Sequence, residues 1–137
     1  MSLRFDRMMD EHEAGQLNAL QLAYLGDSVW ELVTRFDLTF AKMNVKHMHE
    51  RCVRLVNARS QARMMKNILS SLTETELEIV RRGRNTHAKH PVPHHQDAED
   101  YALSTGFEAL LGFLYLTGQN ERIREVIHLM KEVAQDA

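Results

Sequence analysis

The chain has 137 residues, enough for one domain with a core of its own and too few for two. It carries 19 acidic and 17 basic residues, a net charge of −2 with histidines neutral, so whole-chain electrostatics do not mark it as a nucleic-acid binder. Hydrophobic residues make up 44%, charged residues 26%, and no apolar run approaches the roughly 20 residues of a membrane span, which excludes a membrane protein. The start of the chain has no apolar segment of the secretory kind, and one cysteine, Cys52, excludes an internal disulfide. Both fit a cytoplasmic protein, with Cys52 a small hydrophobe in a helix rather than a nucleophile.

In chain order, residues 16–40 place Leu17, Leu20, Leu25, Val29, Leu32, Val33 and Phe36 close to a 3.6-residue period, which predicts a long helix. Gly26 interrupts it at a cost of about 1 kcal/mol relative to alanine, which suggests close backbone packing. Asn44 caps a second helix to about residue 57, with Val45, Met48, Cys52, Leu55 and Val56 as its apolar face. A third spans about 58–69. Thr73 and Glu76 have the spacing of a capping box and open a fourth, ending near Gly83. Pro91 and Pro93 then fall in a loop. A long helix covers about 97–117, with Gly118 just past its end, and a last one starts at Asn120. Nothing alternates with period 2. The expected fold is all-α, one domain over residues 1–137, with six or seven helices.

Charge is distributed unevenly. Residues 79–96 contain no acid but hold Arg81, Arg82, Arg84, Lys89, His87, His90, His94 and His95. This is either an anion-binding segment or a solvated basic loop. The histidines lack the spacing of a zinc site and read as additions to the basic patch.

Two carboxylates stand among apolar residues. Asp27 lies in Leu25-Gly-Asp-Ser-Val-Trp-Glu-Leu32, and Glu31 follows one turn later. Either Asp27 finds a cation, a metal or backbone donors, with Glu31 able to share its face, or both lie on the exposed stripe of an amphipathic helix. Glu108 is the single charge between Asp100 and Glu121, flanked by Phe107, Leu110, Leu111, Phe113 and Leu114. A carboxylate in such company needs a metal, shared with Asp27, or a salt bridge to an arginine. Oxygen donors of this kind suit Mg²⁺ or Mn²⁺.

The segment Leu25–Leu32 resembles a helix motif of the ribonuclease III family, and Phe107-Glu-Ala-Leu-Leu-Gly112 resembles that family's second motif. Leu55-Val-Asn57, between them, matches as well. The likeness runs over about residues 17–129. It is nearest to the family's small branch, Mini-ribonuclease III, through Leu22-Ala-Tyr-Leu-Gly-Asp27, Val80-Arg-Arg-Gly-Arg-Asn85 and Thr105-Gly-Phe-Glu-Ala-Leu-Leu-Gly-Phe-Leu-Tyr-Leu116. That branch is the catalytic domain alone, without a double-stranded-RNA-binding domain.

The resemblance implies a homodimeric, Mg²⁺-dependent endoribonuclease that cleaves double-stranded or structured RNA, leaves 5′-phosphate and 3′-hydroxyl ends, and matures the ends of the large-subunit (23S) ribosomal RNA precursor. Asp27 and Glu108 become catalytic metal ligands. Larger relatives have two further acids, at positions that are Ala23 and Thr105 here. Glu31, Asp97, Asp100 and Ser104 are then candidates for supplementary or water-mediated ligands. Without a separate RNA-binding domain, Arg82, Arg84, Asn85 and Lys89 are the first choices for gripping RNA, followed by Arg51, Arg54, Arg59, Arg63 and Lys66. The competing reading is a non-catalytic RNA-binding or ribosome-associated protein of the same fold.

Overall fold

The structure, a computed structural model, describes residues 7–86 and 97–136. Within them are seven α-helices and no strand: α1 Glu11–Gln16, α2 Ala19–Phe40, α3 Val45–Val56, α4 Ala58–Ile68, α5 Glu74–Asn85, α6 Ala98–Leu116 and α7 Asn120–Asp136, with a short 3-10 turn at Leu69–Ser71 before α5. The expected all-α class is what forms. No described helix is long and apolar enough to cross a membrane.

The helix starts follow local chemistry. Each N-terminus leaves backbone N–H groups without intrahelical partners, and short polar side chains supply them. Asp10, Asn44, Asn57 and Asp97 accept from the N3 amides of α1, α3, α4 and α6. Thr73 and Glu76 form the expected capping box of α5. Asn18 and Gln21 form another, at the start of α2. That cap corrects the expected start at residue 16: the chain breaks at Leu17, and α1 is separate. Six residues are too few for a periodic pattern to reveal. Gly118 has a φ of 76°, as its place after α6 requires.

The hub is α6. Residues 103–107 and 109–114 are buried, so this helix is enclosed on nearly all sides. It packs against α2, α4, α5 and α7. Where it crosses α2 the backbones touch. A Cβ on Gly26 would overlap the Glu108 carbonyl oxygen and lie 2.8 Å from the Gly112 amide nitrogen. A Cβ on Gly112 would overlap the Leu22 carbonyl oxygen. A similar contact joins α5: a Cβ on Gly83 would lie 2.6 Å from Gly106 Cα. Gly83 is therefore a packing residue, not the end of its helix, which runs on to Asn85. Beside the α2–α6 crossing, Trp30 and Phe107 are fully buried and meet edge to face at 5.3 Å.

The apolar pattern of α2 divides in two. Leu22, Val29, Trp30 and Leu38 face the core. Leu20, Leu32 and Phe36, counted toward the periodic stripe, are exposed, together with Tyr24 at 86% and Phe40 at 71%. On α3 the expected apolar face is turned inward except at its start: Cys52 is buried, Met48, Leu55 and Val56 are half-buried, and Val45 is 79% exposed.

Overpacking a core commonly costs about 1–3 kcal/mol, and more where backbone must yield. Gly26→Ala is expected to destabilise the protein by about 3 kcal/mol or more, seen as a fall in the urea midpoint. An unchanged midpoint would mean that α2 and α6 separate freely.

Candidate active site

Gly26 and Gly112 bring α2 and α6 together at the level of Asp27 and Glu108. Asp27 is exposed and Glu108 partly buried. The two carboxyl groups are hydrogen-bonded to each other. Two ionised carboxylates repel, so one carries a proton, and it belongs on the more buried partner. Burial pushes the Glu108 carboxyl up to about 9; the hydrogen bond to Asp27 and that residue's like charge push the same way, and Ser104, one turn earlier on α6, pulls against them. Of the two acids the sequence pattern singled out, Glu108 is the desolvated one and Asp27 is exposed. Among the described residues, no salt bridge joins Glu108 to an arginine.

Of the candidate supplementary ligands, Ser104 adjoins Glu108, and Glu31, Asp97 and Asp100 have partners of their own. Among the described residues no group of three or more acidic, histidine or cysteine side chains converges. Glu31 is paired with Arg35 on its own helix. Asp97 accepts the Asp100 amide at 2.9 Å as the cap of α6. Asp100 faces Lys66 of α4 at 3.8 Å. The Ala23 and Thr105 positions supply no acid, and the Thr105 hydroxyl donates to the Tyr101 carbonyl of its own helix at 3.1 Å. Ser104 is hydrogen-bonded to Gln61 of α4.

The expected RNA-binding residues are also separated. Arg82 is held by the fold: its guanidinium donates to the Gly15 and Leu17 carbonyls at 3.0 and 2.6 Å, fastening the end of α1 to α5. That gives Arg82 a structural role beside the RNA contact expected of it. Arg81 is paired with Glu78. Arg84 and Asn85 are exposed in the last turn of α5. Lys89 and the four histidines of the basic segment lie outside the described residues. Beside α6, Arg59, Arg63 and Lys66 of α4 line a cavity of about 300 Å³ with Asn67 and Asp100. Single-helix spacing of Arg59, Arg63 and Lys66 was visible in the sequence; their position beside α6 was not.

An all-helical domain with paired carboxylates from two crossing helices defines the class, and the comparisons agree. The Ribonuclease III domain model matches residues 20–119. A Mini-ribonuclease 3 of Symbiobacterium thermophilum is 45% identical over 112 residues, 81% of this chain and 85% of that protein. One from Thermoanaerobacter sp. is 39% identical, covering 88% of this chain and 84% of that protein. A crystal structure of a Fusobacterium nucleatum protein superposes with a TM-score of 0.81 at 26% identity, covering 92% of this chain and 99% of the other. The chain belongs to the ribonuclease III family, in its Mini-ribonuclease 3 branch. That membership makes it an endoribonuclease of the ribonuclease III type.

The proton on Glu108 has a consequence for metal-free protein. An unfolded glutamate titrates near pH 4.3, and the folded one near 9. The folded state therefore binds the proton more tightly. The stabilisation is complete below about pH 4 and is lost as pH rises toward 9. In EDTA, the native protein should lose stability relative to Glu108→Gln across that window. Parallel stability curves for the two would contradict the assignment.

Proposed function

We propose that the chain cleaves double-stranded RNA with Mg²⁺, or Mn²⁺ in its place, held by Asp27 and Glu108. The supporting observation is the carboxyl pair at the glycine crossing. A proton now joins two hard oxygen donors, and a divalent cation is the natural replacement. When bound, such an ion neutralises charge on phosphoryl oxygens and lowers the pKa of a coordinated water. Exposed Asp27 presents one carboxylate toward a phosphate at the surface. Glu108 holds from within the crossing, where the α2 and α6 backbones fix its position. By this reading the products carry 5′-phosphate and 3′-hydroxyl ends.

Double-stranded RNA offers phosphates and 2′-hydroxyls rather than readable base edges in its deep groove. Arg59, Arg63 and Lys66 stand in a row on α4 next to α6 and suit that contact. Exposed Arg84 and Asn85 extend the surface, with Lys89 as the remaining member of the set. The exposed row Leu20, Tyr24, Leu32, Phe36 and Phe40 on α2 fits a second copy of the chain, which makes the working form a homodimer. The family resemblance points to one cellular role, maturation of the ends of the 23S ribosomal RNA precursor in the cytoplasm.

Asp27→Asn and Glu108→Gln should each lower the cleavage rate of double-stranded RNA in Mg²⁺ by about 100-fold or more while leaving RNA binding in place. Undiminished cutting by either variant removes that residue from the site. Binding without metal-dependent cutting by the native protein would favour an RNA-binding module. In sedimentation, the native chain should run as a dimer and Phe40→Glu as a monomer; a monomeric native chain would refute the α2 interface.

A further inference from the structure

Behind the carboxyl pair lies a polar contact that the proposed chemistry leaves unused. Gln61 of α4 and Ser104 of α6 are 1% and 3% exposed. They are hydrogen-bonded to each other across the α4–α6 contact. Ser104 precedes Glu108 by four residues, which puts both on one face of α6, and its hydroxyl is near enough to the Glu108 carboxyl to favour the ionised form.

A serine hydroxyl has a single proton to give. Spent on the amide oxygen of Gln61, it is not available to Glu108. That arrangement also leaves the Gln61 amide nitrogen buried without a partner among the described residues. The two ends of a side-chain amide are alike in size, and a half-turn exchanges them. With nitrogen toward Ser104, the amide N–H donates to the hydroxyl oxygen, and the hydroxyl proton is released to the carboxylate. The atom then left over is a carbonyl oxygen, a smaller penalty than an orphaned N–H. The chain of donors also ends on a carboxylate, the stronger kind of acceptor.

We propose that Gln61 and Ser104 form a donor relay, from amide N–H to hydroxyl to carboxylate, that holds Glu108 in the orientation needed to bind a divalent cation. Both are positioning residues. The relay rests on the reading of Asp27 and Glu108 as a cation site. It gives that site fixed outer support in a chain whose Ala23 and Thr105 supply no further acid. Removing such an outer partner typically weakens metal binding or activity about 10–100-fold.

The test is Mn²⁺ binding followed by electron paramagnetic resonance, with kcat and KM on double-stranded RNA in Mn²⁺ and the urea midpoint as a folding control. Native protein is compared with Ser104→Ala, Ser104→Thr, Gln61→Met and Glu108→Gln. Ser104→Ala is expected to weaken Mn²⁺ binding about 10-fold or more and to lower kcat with KM for RNA unchanged. Ser104→Thr, which keeps the hydroxyl, should restore both. Gln61→Met, which keeps the length but not the donor, should show the same loss to a smaller degree. Native Mn²⁺ affinity and kcat in Ser104→Ala would overturn the relay. So would a loss that Ser104→Thr fails to restore, or one that merely follows the urea midpoint. If Glu108→Gln binds Mn²⁺ like native protein, the cation site itself fails. If Glu108→Gln loses Mn²⁺ and Ser104→Ala does not, only the relay fails.

Discussion

The backbone contact between α2 and α6 at Gly26 and Gly112 governs the rest of the structure. Helices with ordinary side chains at a crossing pack about 8–10 Å apart. Here the missing Cβ atoms let the chains approach until each glycine faces a carbonyl oxygen of the other helix. Such contacts leave little freedom in translation along either axis. Register is therefore set by the backbone, and the residues adjoining the glycines inherit it. Asp27 follows Gly26 directly, and Glu108 lends its own carbonyl to the contact.

From this geometry comes the electrostatics. A carboxyl pair in free solution would separate and ionise. Fixed on two helices that cannot part, one acid is partly buried, and it keeps a proton well above the usual carboxylate range. The cost of this arrangement is borne by a surrounding structure rigid enough to impose it: fully buried Trp30 and Phe107 beside the crossing, and a second glycine contact between α5 and α6. The Arg122 guanidinium adds another tie, binding buried Glu76 at 2.7 and 2.8 Å and the Ser71 carbonyl at 3.0 Å, so α5 and the turn before it are anchored to α7.

Much of this was legible in the sequence. Caps at Asn44 and Thr73 announce helix starts because their chemistry is local. Asp27 and Glu108 stand out because charge is rare in such apolar company, and their paired motifs joined them before any coordinates did. What was illegible depends on partners distant in the chain. Arg82 looks like a free cation until its carbonyl partners, 65 and 67 positions away, are in place. Gln61 carries no sign of burial, since its enclosure comes from α6. Leu20, Leu32 and Phe36 satisfy the helical period yet are exposed, because periodicity does not say which apolar positions the rest of the chain covers.

Trp30 has an optical consequence. It is the chain's single tryptophan, it is fully buried, and it lies edge-on to Phe107, the neighbour of Glu108, across the α2–α6 crossing. Tryptophan fluorescence of this protein therefore arises from one indole at one helix junction, less than a full turn past Asp27. The molecule carries a built-in chromophore at the place where its two carboxylates are set, and its emission reads the state of that junction without any label.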